Sequence, residues 1–376
     1  MIEGLYLHIP FCARRCHYCD FNTYENMESL APAYVKALAA DLAQSLKGRE
    51  TKPLRSVFFG GGTPSLLEPS QIRFLLDTVR EQIGLEENAE VTLEANPGTA
   101  DLEKFAGFRE AGVNRLSFGF QAKQDRHLES LGRIHSAEQS AEAWRLARQA
   151  GFKNLSLDLM FGLPDQTLEE WMDSLEWALG FQSEHLSFYG LTLEPGTRFY
   201  SLHEKGLLPT PVEDLQADMY EMGTARLARA GLAQYEISNF AKPGRESVHN
   251  RLYWRNRDTL GLGAGAWSYV DGERSGREKN PQKYMDLVLA GQDPRKEKER
   301  LEGAKARAEA VYLGLRLLEG INLKAWREQT GVDFMQEFGP TAQAMQQVGL
   351  LELGEESVRL SPKGLPLSNE VFSAFL

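Results

Sequence analysis

Residues 8–24, HIPFCARRCHYCDFNTY, contain all three cysteines of the 376-residue chain, namely Cys12, Cys16 and Cys19. Thiolates are soft ligands that suit zinc, copper(I) and iron–sulfur centres, and a loop with C-x3-C-x2-C spacing can turn three sulfurs toward one point. A disulfide framework would instead spread its cysteines over the fold. The loop therefore predicts a metal site in a protein from a reducing compartment.

The spacing leaves the identity of the metal open. A [4Fe–4S] cluster normally has four thiolates, so three would leave one iron with a free coordination position. A structural zinc site would need a fourth ligand, for which His8 and His17 are the candidates. A redox disulfide between Cys16 and Cys19 is a third alternative.

The composition excludes several classes of protein. Acidic residues outnumber basic ones by 53 to 42, and the net charge of −11 disfavours general binding to nucleic acid or anionic lipid. The N-terminal segment lacks the basic and apolar regions of a signal peptide, and no run approaches the roughly 18 apolar residues that span a bilayer. We therefore expect a folded cytoplasmic protein with no nucleic-acid partner.

Six short β-rich runs, each followed by a helical pattern, predict a parallel sheet in an α/β fold. The runs are GLYLHI (4–9), SVFFGG (56–61), EVTLEAN (90–96), NRLSFGFQ (114–121), NLSLDLMFG (154–162) and HLSFYGL (185–191). Right-handed crossovers allow a closed barrel, a partial barrel or an open sheet. Small and polar residues follow five of the runs, and sites are built at the carboxyl ends of parallel strands. These loops should therefore line one mouth.

The strand–helix alternation weakens after about residue 200, which suggests a change of domain. We expect a core domain of residues 1–240 and a linker with a ligand-binding motif at 241–300. The remaining residues, 301–376, should form a smaller α+β domain that is winged-helix-like and carries a hairpin at 350–364.

The cysteine loop CARRCHYC resembles the cluster motif of radical S-adenosylmethionine (SAM) enzymes. In that family three cysteines hold a [4Fe–4S] cluster, and the fourth iron binds the amino and carboxylate groups of SAM. An electron from the cluster then releases a 5′-deoxyadenosyl radical. The resemblance implies a partial (β/α)6 barrel similar to a TIM barrel, with Cys12, Cys16 and Cys19 as the cluster ligands.

The resemblance also implies a SAM site. The residues it assigns there are Tyr6, Tyr18, Gly61, Gly62, Thr63, Glu94, Gln121, Arg133, Asp158, Thr192 and Trp267. The glycine turn would contact the methionine part, Tyr6 would lie near the cluster, and the backbone of Tyr18 would meet the adenine. Trp267 stands where relatives are expected to have histidine. Without the resemblance, only Asp158 is a strong candidate, because a carboxylate in an apolar run is costly to bury unless it is paired.

The wider string YLHIPFCARRCHYCDF is similar to the branch that contains oxygen-independent coproporphyrinogen III oxidase and related heme chaperones. The segment HNRLYW (249–254) resembles the H-N-x-x-Y-W heme-binding signature of the chaperones. A heme needs an axial donor and flat aromatic cover, and His249, Tyr253 and Trp254 supply both. The residues alone favour the alternative that Tyr253 and Trp254 are core aromatics and that His249 is a hydrogen-bonded loop residue.

Two departures from the oxidase pattern favour the chaperones. Phe21 stands where oxidase-like members carry a further cysteine, and only five residues precede Tyr6, where the oxidase has an extension. The resemblance therefore implies a heme chaperone that binds the cluster, SAM and heme. It would deliver heme to acceptor hemoproteins, among them respiratory enzymes at the membrane. Whether it forms a homodimer is left open.

The alternative is a radical SAM oxidoreductase acting on a tetrapyrrole, so enzyme activity stays an open question. A zinc-binding structural protein is a third alternative.

Overall fold

The computed structural model describes every residue from 1 to 376. The strands are β1 (Gly4–Ile9), β2 (Phe11–Cys12), β3 (Tyr24–Glu25), β4 (Leu54–Gly61), β5 (Leu85–Ala95), β6 (Arg115–Gln121), β7 (Leu155–Phe161), β8 (His185–Gly190), β9 (Ala233–Glu236), β10 (Asn239–Ala241), β11 (Thr259–Leu262), β12 (Trp267–Val270), β13 (Glu273–Arg277), β14 (Arg295–Arg300), β15 (Ile321–Asn322), β16 (Leu351–Leu353) and β17 (Ser357–Leu360). The α-helices are α1 (Ala31–Leu46), α2 (Pro69–Gln82), α3 (Leu102–Ala111), α4 (Asp125–Leu131), α5 (Ala137–Gln149), α6 (Leu168–Leu179), α7 (Arg198–Glu204), α8 (Glu213–Arg229), α9 (Val248–Trp254), α10 (Pro281–Leu289), α11 (Gly303–Gly314), α12 (Leu323–Thr330), α13 (Phe334–Gln347) and α14 (Ser368–Ser373).

One twelve-stranded sheet dominates the molecule, in the order β14-β13-β12-β11-β1-β4-β5-β6-β7-β8-β10-β9. Neighbouring strands from β11 through β1 and β4 to β8 are parallel. The six sequence runs are β1 and β4 to β8, and one or two helices follow each of them. The sheet has free ends at β14 and β9, so the predicted partial (β/α)6 barrel is confirmed.

Residues 241–300 were expected to form a linker, but in the structure they form part of the main sheet. They supply β11 to β14, and β11 pairs with β1 in parallel register. These strands are hard to predict because each has only four to six residues, over which a period-2 pattern is difficult to read. The exact domain boundaries stay predictions, but this segment extends the main sheet.

The C-terminal segment has a hydrophobic core of its own, which includes Trp326, Phe334, Val358 and Phe372. Its elements run α11, β15, α12, α13, β16, β17 and α14, and the three strands form a separate sheet in the order β15-β17-β16. Helix, strand, two helices and a hairpin are the order of a winged helix, and the predicted hairpin at 350–364 corresponds to β16 and β17.

Local sequence signals account for the ends of the helices around the sheet. Thr167 precedes α6 and forms a capping box with Glu170. The Thr167 side chain accepts the backbone N–H of Glu170, and the Glu170 side chain accepts the backbone N–H of Thr167. Ser136 and Gln139 make the same reciprocal contact at α5. None of the helices combines the length and the apolar character needed to cross a membrane.

The main core lies between the sheet and its helices, and aromatic rings fill much of it. Phe118 on β6 is fully buried, and its ring centroid lies 5.8 Å from that of Phe105 and 6.0 Å from those of Phe120 and Trp144. Edge-to-face and tilted contacts of this kind stabilise a core beyond the burial of area alone.

We predict that Phe118→Ala lowers the free energy of unfolding by about 3–5 kcal/mol, because a fully buried ring leaves a cavity that its neighbours fill only in part. Urea denaturation measures the change. Phe74→Ala is the matched control, since Phe74 is 46% exposed. Equal effects of the two substitutions would contradict this core assignment.

Candidate functional site

The loops at the carboxyl ends of the parallel strands surround a cavity of about 410 Å³. Most of the residues assigned from the sequence line it together. They are Cys12, Cys16, Tyr18, Cys19, Gly61, Gly62, Thr63, Glu94, Gln121, Arg133, Asp158 and Thr192. Because these residues come from six different strand–loop units, only the parallel sheet brings them into one place.

The glycine turn after β4 holds the cysteine strand in position. The backbone N–H of Gly62 donates to the carbonyl of Ile9, and that of Thr63 donates to Phe11, both at 2.8 Å. A Cβ on Gly62 would lie 2.6 Å from the Phe11 carbonyl oxygen and 3.0 Å from Cys12 Sγ. Glycine is therefore required there, because any side chain would push the first cysteine out of place.

The three thiols share the cavity, and burial opposes the ionisation of two of them, Cys12 and Cys19. Burial raises the pKa of Cys12 to about 11, although Thr63 Oγ1 donates to its sulfur at 3.7 Å. Burial also raises the pKa of Cys19. A metal centre would supply the positive charge that stabilises the thiolates, so the donor set fits an iron–sulfur cluster.

The geometry disfavours a single zinc ion in this loop. His17 Nδ1 lies 2.8 Å from the Ser130 carbonyl oxygen, and its Nε2 lies 2.9 Å from Arg198 Nη1. Both ring nitrogens of His8 are likewise within hydrogen-bond distance of a neighbour, at 3.1 and 2.9 Å. The candidate fourth zinc ligands thus have other partners.

Two carboxylates line the interior of the cavity at a cost in free energy. Burial, together with the charge of Asp158, raises the pKa of Glu94 to about 7, and burial raises the pKa of Asp158 to about 6. Glu94 accepts the backbone N–H of Gly61 at 3.2 Å, and Asp158 accepts Ser117 Oγ at 3.4 Å. Such groups gain most from a ligand that carries positive charge.

Arg133 supplies the opposite charge. Its Nη1 donates to Asn96 Oδ1 at 2.8 Å and its Nη2 to the Tyr18 hydroxyl at 3.0 Å, while its buried Nε has no partner. Beside it, Gln121 has a φ of +68°, which is strained for a residue with a side chain. A free buried donor near two carboxylates and three thiols fits a zwitterionic ligand such as SAM.

Sequence reasoning missed several residues of this cavity, among them Asn96 and Gly119. Asn96 bridges Arg133 and Thr63, to which it donates at 3.0 Å, and its place just after β5 could have identified it. Gly119 lies inside β6, where a Cβ would come within 2.9 Å of Gln121 Nε2 and 3.1 Å of Arg133 Nη2. A glycine inside a strand is a recognised sign of such close approach.

Two assigned residues do not line the cavity. Tyr6 lies on β1 with its hydroxyl 3.1 Å from His8 Nδ1 and its ring stacked on Phe58 at 6.1 Å. Trp267 on β12 is 43% exposed, and its ring covers Gly276, whose Cβ would lie 2.9 Å from it. Trp267 therefore packs on the outer strands of the sheet and is not part of the cavity lining.

The segment HNRLYW forms α9, and none of its residues lines the thiol cavity. His249 is 1% exposed; its Nδ1 shares a hydrogen bond with Ser56 Oγ at 2.8 Å and its Nε2 with the Tyr253 hydroxyl at 3.1 Å. Its ring stacks on Phe58, and burial lowers its pKa to about 3. Glu90 accepts the backbone N–H of His249 at 3.1 Å. With both nitrogens engaged, His249 does not fit an axial ligand in this arrangement.

Comparisons with known proteins agree with the fold. The family model described as the radical SAM superfamily matches residues 6–178, and that described as the HemN C-terminal domain matches residues 302–367. The chain is 39% identical over 376 residues to the heme chaperone HemW of Bacillus subtilis (strain 168), covering 100% of this chain and 99% of that protein.

Other relatives show the same likeness. The heme chaperone HemW of Escherichia coli (strain K12) is 41% identical over 289 residues, 75% of each chain. The mitochondrial radical S-adenosyl methionine domain-containing protein 1 of Mus musculus is 36% identical over 385 residues, 99% of this chain and 87% of that protein. Among solved structures, coproporphyrinogen III oxidase (HemN) from Escherichia coli has a TM-score of 0.85 over 100% of this chain and 90% of its own. At 24% identity, that match concerns the fold.

We predict that Gly62→Ala loses the metal centre. The added methyl group overpacks the Phe11 carbonyl and Cys12, which costs about 1–3 kcal/mol, so cluster binding at limiting iron should weaken by about tenfold or more. Iron and sulfide content after anaerobic reconstitution measures this. Gly339→Ala is the control, because its Cβ would lie at an ordinary 3.6 Å from Met335. A full iron content in the Gly62 variant would contradict the assignment.

We predict that Glu94→Gln stabilises the SAM-free protein at alkaline pH. At pH below 4.5 the carboxyl is protonated in both states, so the penalty of ionising it is absent. Between pH 4.5 and about 7 the Glu94 carboxyl is ionised in the unfolded chain but still protonated in the folded protein, so the free energy of unfolding falls. The loss reaches about 3 kcal/mol above pH 7.

Denaturation at pH 8 and at pH 4.5 tests this prediction. The variant should exceed wild type in stability at pH 8 and match it at pH 4.5, and it should bind SAM more weakly. Glu86→Gln on the same strand, where the side chain is exposed, is the control. A stability difference that does not change with pH would contradict the argument.

Proposed function

This chain belongs to the heme chaperone HemW family of the radical SAM superfamily, and from that premise we propose that it binds a [4Fe–4S] cluster, SAM and heme and delivers heme to acceptor hemoproteins. The observation that supports the proposal most is the cavity in which three thiols, two half-buried carboxylates and a half-buried arginine come together. Such a set suits a metal cluster beside a zwitterionic cofactor.

Cys12, Cys16 and Cys19 would hold the cluster, which supplies a redox-active iron with a coordination position that no cysteine fills. Glu94 and Asp158 would offer negative charge to the cationic groups of SAM, and Arg133 would use its free Nε for an oxygen atom. Gly62 keeps Cys12 against the turn. These side chains are half-buried, and the lower local dielectric constant strengthens each of these polar contacts.

The heme part of the proposal rests on the family and not on an identified iron ligand. His249 has partners at both ring nitrogens, so ligation through it would require α9 to give up two hydrogen bonds. We place the activity in the cytoplasm, with acceptors that include respiratory enzymes at the membrane. A homodimer stays a prediction.

An anaerobic heme titration of the cluster-reconstituted protein tests the proposal. We predict uptake of about one heme per chain and transfer of that heme to an apo-hemoprotein, as one specific site requires. Absorption spectra of both proteins follow the transfer. Cys16→Ser, which removes one cluster ligand, should lose the cluster while the chain stays folded.

A parallel incubation with SAM and coproporphyrinogen III separates the two candidate activities. The chaperone leaves the porphyrinogen unchanged. Decarboxylation of the porphyrinogen, together with only nonspecific adsorption of heme, would contradict the proposal and assign the protein to the oxidoreductases.

A further inference from the structure

The two faces of α9 have different surroundings. His249 and Tyr253, four residues apart, point into the floor of the barrel and contact each other, with ring centroids 4.9 Å apart. Trp254 lies on the other face, where the guanidinium of Arg316 covers its ring at 4.2 Å. Arg316 also lies 3.7 Å from the buried carboxylate of Glu236 on β9. The helix therefore joins the barrel floor to the C-terminal domain.

Beside this junction, a groove of about 790 Å³ lies between α9 and β12 on one side and the C-terminal domain on the other. Its aromatic lining consists of Trp254, Tyr269 and Trp326. On the facing helix α11, Ala306 and Ala310 present small side chains to the same space. Volumes of about 300–1,000 Å³ are typical of sites for small molecules and cofactors.

The rim of the groove is basic. Arg251 and Arg255 share one carboxylate, Glu319, at 3.4 and 2.7 Å, which leaves positive charge in excess. Arg257 pairs with no carboxylate, and its partner is the amide oxygen of Gln329 at 3.2 Å. Glu302 is the other acid in the lining, and Arg307 is paired with Glu337. Guanidinium groups recognise carboxylates by paired hydrogen bonds, so the rim suits an anionic ligand.

We propose that this groove between α9 and the C-terminal domain binds the heme, with the macrocycle between the aromatic walls and the carboxylates at Arg257 and Arg255. The assignment rests on the proposed function, which supplies the ligand class, a porphyrin dicarboxylate. No histidine, cysteine or methionine lines the groove, and the hydroxyl of its one tyrosine, Tyr269, accepts a hydrogen bond from Asn256 Nδ2 at 3.4 Å. The protein thus holds the ligand by its faces and its acid groups, and little iron ligation is required. Weak ligation suits a carrier that must release its cargo.

The experiment compares heme with metal-free protoporphyrin IX as probes of the full-length, cluster-reconstituted protein. Two variants alter the groove: Arg257→Glu reverses the charge at the rim, and Ala306→Phe fills the space. Arg245→Glu is the matched control, because Arg245 is exposed and does not line the groove. Thermal unfolding and cluster content confirm that each variant is folded, and porphyrin absorbance and fluorescence give the dissociation constants.

We expect wild type to bind the two probes with affinities within about tenfold of each other, because iron ligation is not required. Both groove variants should bind both probes at least about tenfold more weakly, while the control matches wild type. Wild-type affinity in either folded groove variant would overturn the assignment of the site. Loss of protoporphyrin binding with retention of heme binding would also overturn it, in favour of a site built on an iron ligand. Failure of the wild-type protein to bind either probe would instead contradict the proposed function itself.

Discussion

The site depends on two backbone hydrogen bonds that join the glycine turn after β4 to the strand that carries Cys12. The N–H groups of Gly62 and Thr63 meet the carbonyls of Ile9 and Phe11, both at 2.8 Å. This approach is close enough that only glycine fits at position 62. Since β1 and β4 are neighbours in parallel register, the cysteine loop is fixed to the carboxyl end of the sheet. The positions of the other cavity residues relative to the three cysteines therefore depend on this anchoring.

The charged groups of the cavity destabilise the ligand-free protein, and a ligand of matching charge would offset that cost. Glu94 and Asp158 are half-buried with raised pKa values, and the Nε of Arg133 is buried without a partner. A fold selected for stability alone would replace such groups with apolar ones of similar size. Their presence at the mouth of a barrel whose walls are apolar indicates a site that is completed by a charged, zwitterionic ligand.

Local signals in the sequence were sufficient for the sheet, because strand runs and helical patterns alternate along the chain. In the cavity they located Asp158, whereas Glu94 and Gln121 were assigned through the resemblance to radical SAM enzymes. Contacts between distant segments were not visible: the pairing of β11 with β1 and the partners of His249, such as Ser56 at 2.8 Å, are set by tertiary packing. For the same reason, the motif HNRLYW predicted a heme ligand, whereas in the structure both ring nitrogens of His249 have hydrogen-bond partners in the barrel floor.

The central claim is that three cysteines hold a cluster in which one iron is left for SAM. Mössbauer spectroscopy of protein reconstituted with ⁵⁷Fe, recorded with and without SAM, tests it most directly. We expect a [4Fe–4S] spectrum in which a single iron subsite changes when SAM is added, since the other irons keep their thiolates. A cluster spectrum that SAM leaves unchanged, or a protein that retains zinc in place of iron, would contradict the claim.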